Sequence, residues 1–138
     1  MTKIVIKSYH LTMSREIFAN FNDTSRSFHS KEGVTNYFDS STGPYEYLLG
    51  ALSGCYYSTL VDVLKGRVTY DSCDIHDEGE KRSEPPTTLE HTKMTISVKN
   101  PSSFELFKEA CIETSNYCSI YQTIAKVSKM ELVICQVE

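Results

Sequence analysis

Five cysteines, at positions 55, 73, 111, 118 and 135, are the residues of this chain best suited to chemistry. A cysteine attacks through its thiolate, and a free thiol with a pKa of about 8.5 is only slightly ionised at neutral pH. Cys55 is the most unusual of the five. It lies in the most apolar stretch of the chain, between Gly54 and the pair Tyr56 and Tyr57. The competing reading is packing, because a free cysteine often serves as a small buried hydrophobe. Cys118 stands where one helical pattern ends and another begins, and a helix N-terminus lowers the pKa of a thiol placed there. Its competing reading is a buried residue beside Tyr117. Cys73, Cys111 and Cys135 read as structural. Cys111, one heptad before Cys118, is the main rival as a second thiol.

Other chemistries find little support. An odd number of cysteines and no C-x-x-C argue against a disulfide scaffold and for a reducing, cytoplasmic setting. The histidines at 10, 29, 76 and 91 lack metal-ligand spacing, so neither metal nor cofactor is expected. His76 and His91 read as strand residues rather than catalytic bases. There is no G-x-S-x-G, phosphate loop or G-x-G-x-x-G. A net charge of -4 disfavours a nucleic acid partner, since counterion release needs a surplus of Lys and Arg. No run of 18 apolar residues predicts a membrane span. The 138 residues, 40% hydrophobic and 23% charged, fit one ordinary globular domain over 1–138.

The elements that position these thiols follow from periodicity. Residues 3–12 alternate as a strand rather than a signal peptide, and 16–21 form a second strand. Asn22 to Ser27 reads as a turn, and a third strand or hairpin arm is expected before Asn36. Residues 40–44 turn into a helix with Pro44 at its first position. From Tyr45 to Leu64, apolar residues recur at steps of three and four, with no charge between Tyr47 and Val61. A helix of about 30 Å without charge through its middle is expected to be buried on most sides. Gly50 and Gly54 are expected where another element crosses closely, and Gly66 ends the helix. Strands follow over 68–80 and 87–98, with Glu78–Arg82 as a solvated hairpin tip. Ser102 and Glu105 have capping-box spacing ahead of a second helix. A short third helix follows Cys118, and Lys129 to Val137 closes as a strand. The order is α+β.

Two motifs then resemble one family. The run Gly43-Pro44-Tyr45-Glu46-Tyr47-Leu48-Leu49-Gly50-Ala51-Leu52-Ser53-Gly54-Cys55 resembles the helix-opening signature of OsmC/Ohr proteins, roughly G-P-x-E-L-L-x-A-L-x-G-C. Asn116-Tyr117-Cys118-Ser119-Ile120 resembles the Y-C-S-V signature of its YhfA-like branch, and the 63-position gap between the cysteines fits. Glu78–Arg82 resembles the family's V-x-G-x-R hairpin. The resemblance covers nearly all of 40–138.

It implies sheets wrapped around two central helices in an intertwined homodimer. It implies Cys55 as peroxidatic and Cys118 as resolving thiol, an organic hydroperoxide as substrate, and a small dithiol or lipoyl reductant. It also implies an activating arginine in the N-terminal strands, where Arg15 and Arg26 are both available, held by a carboxylate such as Glu46. Ohr and OsmC proper place the Glu directly after the proline and a Pro after the second cysteine. Here those positions hold Tyr45 and Ser119, with Glu46 about 100° further round the helix, as in the YhfA-like branch.

Two functions are therefore expected to compete. One is a thiol peroxidase with a Cys55 pKa below about 7, forming a sulfenic acid and then a Cys55–Cys118 disulfide. The other is a non-catalytic dimer that holds a small apolar ligand and uses its cysteines for packing.

Overall fold

The computed structural model describes residues 15–138, so the strand expected over 3–12 lies outside the described residues. The chain divides into two compact units, Met1–Gly43 and Pro44–Glu138.

In the N-terminal unit, β1 (Phe18–Phe21), β2 (Arg26–His29) and β3 (Asn36–Tyr37) form an antiparallel sheet in that order. The β1–β2 turn is closed by Asn22, whose N–H donates to Ser25 O at 2.9 Å and whose Oδ1 accepts from Thr24 N–H at 2.9 Å. Arg26 and Ser27 consequently belong to β2 rather than to the turn, opposite Phe21 and Asn20. Their polarity misled because neither face of so short a strand must be continuously apolar.

The C-terminal unit holds α1 (Pro44–Leu64), β4 (Ser72–Lys81), β5 (Leu89–Lys99), α2 (Phe104–Tyr117), α3 (Ser119–Ala125) and β6 (Lys129–Val137). Pro44 takes the first helical position, where its missing N–H costs nothing. α1 stops because Lys65 and Gly66 turn left-handed, at φ 51° and 72°. The Arg67 guanidinium then donates to the carbonyls of Leu64 and Val63, each at 3.0 Å.

β5 is the central strand, antiparallel to β4 and parallel to β6. A parallel pair needs a crossover, which α2 and α3 supply. Alternate residues Thr92, Met94, Ile96 and Val98 are buried. They share one core with Leu52, Tyr56 and Leu60 of α1 and Phe107 and Cys111 of α2. His91 and His76 are strand residues as expected, with His91 Nε2 3.6 Å from a Glu131 oxygen.

Two local expectations are corrected, the hairpin tip and the cap of α2. Glu78 to Lys81 lies within β4, paired with β5, so the connecting turn begins at Arg82. Within one chain the close crossing falls at Gly79, while Gly50 and Gly54 lie on the open face of α1. A Cβ on Gly79 would stand 2.7 Å from Leu89 Cδ2 and 3.6 Å from Leu49 Cδ1, whereas one on Gly50 or Gly54 meets nothing within 4 Å. α2 is capped by Ser103, whose Oγ accepts from Leu106 N–H at 3.2 Å. The neighbouring Ser102 Oγ accepts from Thr69 N–H at 2.9 Å, tying the segment before β4 to the start of α2. Two adjacent serines are equivalent as caps until the chain's approach to the helix is set.

Within one chain, the uncharged α1 is covered along one face. Leu52, Tyr56, Leu60 and Leu64 are covered, while Gly50, Ala51, Gly54, Tyr57, Ser58 and Val61 remain exposed on the opposite face. On the covered side, Ser53 Oγ donates to Asp77 Oδ2 and anchors α1 to β4.

Candidate functional site

Cys55 and Cys118 meet where α1 passes the junction of α2 and α3. Cys55 precedes the fully buried Tyr56, so it sits at the margin of the covered face of α1 and is half-buried. Cys118 is fully buried and has extended backbone, φ -67° and ψ 116°, which breaks one helix and starts the next. Its N–H closes α2 on Thr114 O at 2.9 Å, and its Sγ accepts from Tyr121 N–H at 3.4 Å as the cap of α3. This break aims the first turn of α3 at Cys55.

The two thiols are thereby driven apart in acidity. Burial pushes the Cys55 thiol up, but hydrogen bonds outweigh it and hold the pKa below its ordinary value. They come from the Ile120 amide, the Ser119 hydroxyl, the Cys118 thiol and the Ser119 amide. Ser119 Oγ lies 3.6 Å from Cys55 Sγ. For Cys118, burial dominates and the adjacent Cys55 adds to it, so the thiol is pushed up to about 11 despite the Tyr121 amide.

This reverses one expectation. The helix N-terminus was expected to acidify Cys118. Its amides act on Cys55 instead, because Cys118 is the cap itself and lies deeper. We expect iodoacetamide, followed residue by residue by mass spectrometry against pH, to alkylate Cys55 with a midpoint below that of a free thiol. Cys118 should react only toward pH 11. Similar midpoints for the two would refute the asymmetry.

The rival thiol is elsewhere. Cys111 is fully buried in the core, and burial pushes it up to about 12; Tyr56 Oη donates to its carbonyl at 2.5 Å. Burial likewise raises Cys73 to about 11. Cys135 Sγ lies 3.1 Å from Ser97 Oγ between β5 and β6. All five cysteines are free.

Glu46 is in the first turn of α1, exposed and nine residues ahead of Cys55, about 13 Å along the axis. Arg15 precedes β1 and Arg26 opens β2, both exposed within the N-terminal unit. The C-terminal unit thus joins Cys55 with Cys118 and leaves Glu46 more than two turns away. Sequence reading did not find Ser119 and Ile120. Ser119 was visible as a departure from the family pattern, but backbone amides carry no sequence signal.

Along α1 toward its N-terminus, Tyr45 and Leu48 line an apolar groove of about 240 Å³ with Thr88, Leu89, Thr123, Ile124 and Val127. Lys81 Nζ sits 4.3 Å from the centre of the Tyr45 ring at this end.

The profile of one family, described as OsmC-like protein, matches residues 37–133, a segment that contains both thiols and the helices that join them. The chain belongs to the OsmC-like family. Solved structures share its fold over nearly the whole chain. An OsmC-like protein from Mycoplasma pneumoniae superposes with a TM-score of 0.81 at 18% identity, covering 93% of this chain and 100% of that one. The organic hydroperoxide resistance protein OhrB of Bacillus subtilis does so at 0.67 and 12%, covering 90% and 99%. An organic hydroperoxide resistance protein from Elizabethkingia anophelis, with crystallant-derived thiocyanate bound, gives 0.74 and 11%, covering 94% and 100%. At such identities the likeness is one of fold. No curated protein matches the chain significantly. No helix among the described residues is long and apolar enough to cross a membrane.

Proposed function

We propose that this OsmC-like protein is a thiol peroxidase that reduces organic hydroperoxides in the cytoplasm. The observation that carries this reading is the unequal thiol pair, with a half-exposed Cys55 lowered in pKa beside a buried Cys118 held protonated. The Cys55 thiolate attacks the terminal peroxide oxygen, the O–O bond breaks, and the alkoxide takes a proton to leave as alcohol. Cys55 is then a sulfenic acid. Oxidation removes the negative charge that had opposed ionisation of Cys118. The Cys118 thiolate forms next, attacks the Cys55 sulfur and expels hydroxide, which is protonated to water. A small dithiol such as dihydrolipoamide reduces the disulfide and is itself oxidised. Burial, the larger cause of the raised Cys118 pKa, persists, and loss of the Cys55 charge eases ionisation of the resolving thiol once the first has been spent.

The relatives named for organic hydroperoxide resistance support this substrate class. The apolar groove suits an alkyl tail. Arg15 and Arg26 remain the cations proposed to reach the same thiolate, with Glu46 to hold one of them. Purified protein should consume cumene hydroperoxide in the presence of dihydrolipoamide; no consumption above the protein-free rate refutes the assignment. The same groove favours the second reading, a non-catalytic carrier of a small apolar ligand.

The reading includes a homodimer. Along α1, the uncharged outer face with Gly50, Gly54, Tyr57 and Val61 stays open to solvent within one chain. An exposed face of this kind marks an association surface, and two glycines four residues apart let another helix approach closely. Light scattering after gel filtration should give twice the chain mass, and Gly54→Glu should give monomers. A monomeric native protein would refute the dimer.

A further inference from the structure

We propose that Ser119 is a catalytic residue whose hydroxyl donates to the Cys55 sulfur and holds its thiolate ready for the peroxide. This deepens the peroxidase reading and rests on it. Ser119 is the first residue of α3, where a serine ordinarily has little to do, because the capping position precedes it. That position is filled by Cys118, whose Sγ already accepts from Tyr121 N–H. The hydroxyl is left for another partner, and its oxygen is 3.6 Å from Cys55 Sγ.

The backbone keeps it there. Ser119 O accepts from Thr123 Oγ1 at 2.8 Å, and Cys118 O from Gln122 N–H at 3.0 Å, so the first turn of α3 is fastened at both residues. The contact is long for a charged acceptor, and it shortens as the sulfur ionises, since charge-assisted bonds are the closer ones. A donor that strengthens its bond on ionisation lowers the thiol pKa. The Ser119 side chain is exposed, so it also stands on the side from which a peroxide reaches a half-exposed sulfur.

The test uses the full chain as wild type, Ser119→Ala and Ser119→Thr. Residue-resolved alkylation gives the Cys55 midpoint in each, and kcat/KM for cumene hydroperoxide with dihydrolipoamide is followed over pH. Ser119→Ala should raise the midpoint by about half to one unit. Below the native midpoint it should lower kcat/KM by about 3–10-fold, since each unit is a factor of ten in thiolate. The deficit should close once both proteins are fully ionised, and Ser119→Thr should restore most of it. An unmoved midpoint, a deficit equal at every pH, or a threonine variant as impaired as alanine overturns the proposal. Native turnover with an unmoved midpoint refutes only the Ser119 role. A moved midpoint in a chain without native turnover refutes the peroxidase reading and keeps the contact.

Discussion

Cys55→Ser is expected to abolish peroxide turnover, while Cys118→Ser permits one turnover and then arrests. The difference follows from the assigned order of steps. A serine hydroxyl is not ionised at neutral pH and lacks the polarisable sulfur that splits an O–O bond, so Cys55→Ser should cost at least about three orders of magnitude, as loss of a nucleophile does elsewhere. Cys118→Ser leaves the Cys55 thiolate and its contacts from Ser119 and Ile120 in place. The first oxygen transfer should proceed near the native rate, consume one peroxide per chain and leave a sulfenic acid. Mass spectrometry would show one added oxygen on Cys55, and further peroxide should drive it to the sulfinic acid. Under the ligand-carrier reading, neither substitution alters ligand retention and neither forms an oxidised intermediate. Steady turnover by Cys55→Ser, or by Cys118→Ser at native rate, would remove the two-thiol mechanism.

The second large effect is on stability. Phe107 is fully buried in α2 and meets the Tyr70 ring edge-on, with centroids 5.7 Å apart. It shares one core with Leu52, Tyr56 and Leu60 of α1 and Met94, Ile96 and Val98 of β5. Phe107→Ala should therefore cost about 3–5 kcal/mol, the transfer of a ring plus the cavity it leaves. That is a large part of the 5–15 kcal/mol typical of a folded domain, and the urea midpoint should fall by more than about 1 M. Leu106→Ala is the internal control. Leu106 is the neighbouring residue on the same helix but 40% exposed, so its loss should stay within about 1 kcal/mol. Equal effects at the two sites would mean that α2 is not packed as described. α2 ends on Cys118, so loosening it should also slow disulfide formation before it slows attack by Cys55.

Much of this architecture is legible one residue at a time. Pro44 and Gly66 bracket α1, the alternation of Lys93 to Val98 marks β5, and β6 occupies the expected Lys129–Val137. These signals are local. A proline lacks a donor, a glycine admits positive φ, and a period of two or of 3.6 declares which face is covered. Periodicity and the paired cysteine motifs were enough to name the family and the α+β order.

What sequence could not supply depends on residues far apart in the chain. The uncharged middle of α1 was expected to be buried on most sides, yet composition says only that a surface avoids water, not which neighbour covers it. The close approach at Gly79 had no sign in the sequence, because closeness belongs to a pair of elements. Ser102 was expected to cap α2, but Thr69 claims its hydroxyl and Ser103 caps the helix instead. Above all, the acidifying end of α3 was placed on Cys118, whereas it acts on Cys55. A helix end acts on whatever lies in front of it, and only folding brings Cys55, from the middle of another helix, into line with the amides of Ser119 and Ile120. Sequence chose the two sulfurs and the one to be ionised; packing decided which groups lower its pKa, since hydrogen bonds and burial act through space rather than along the chain.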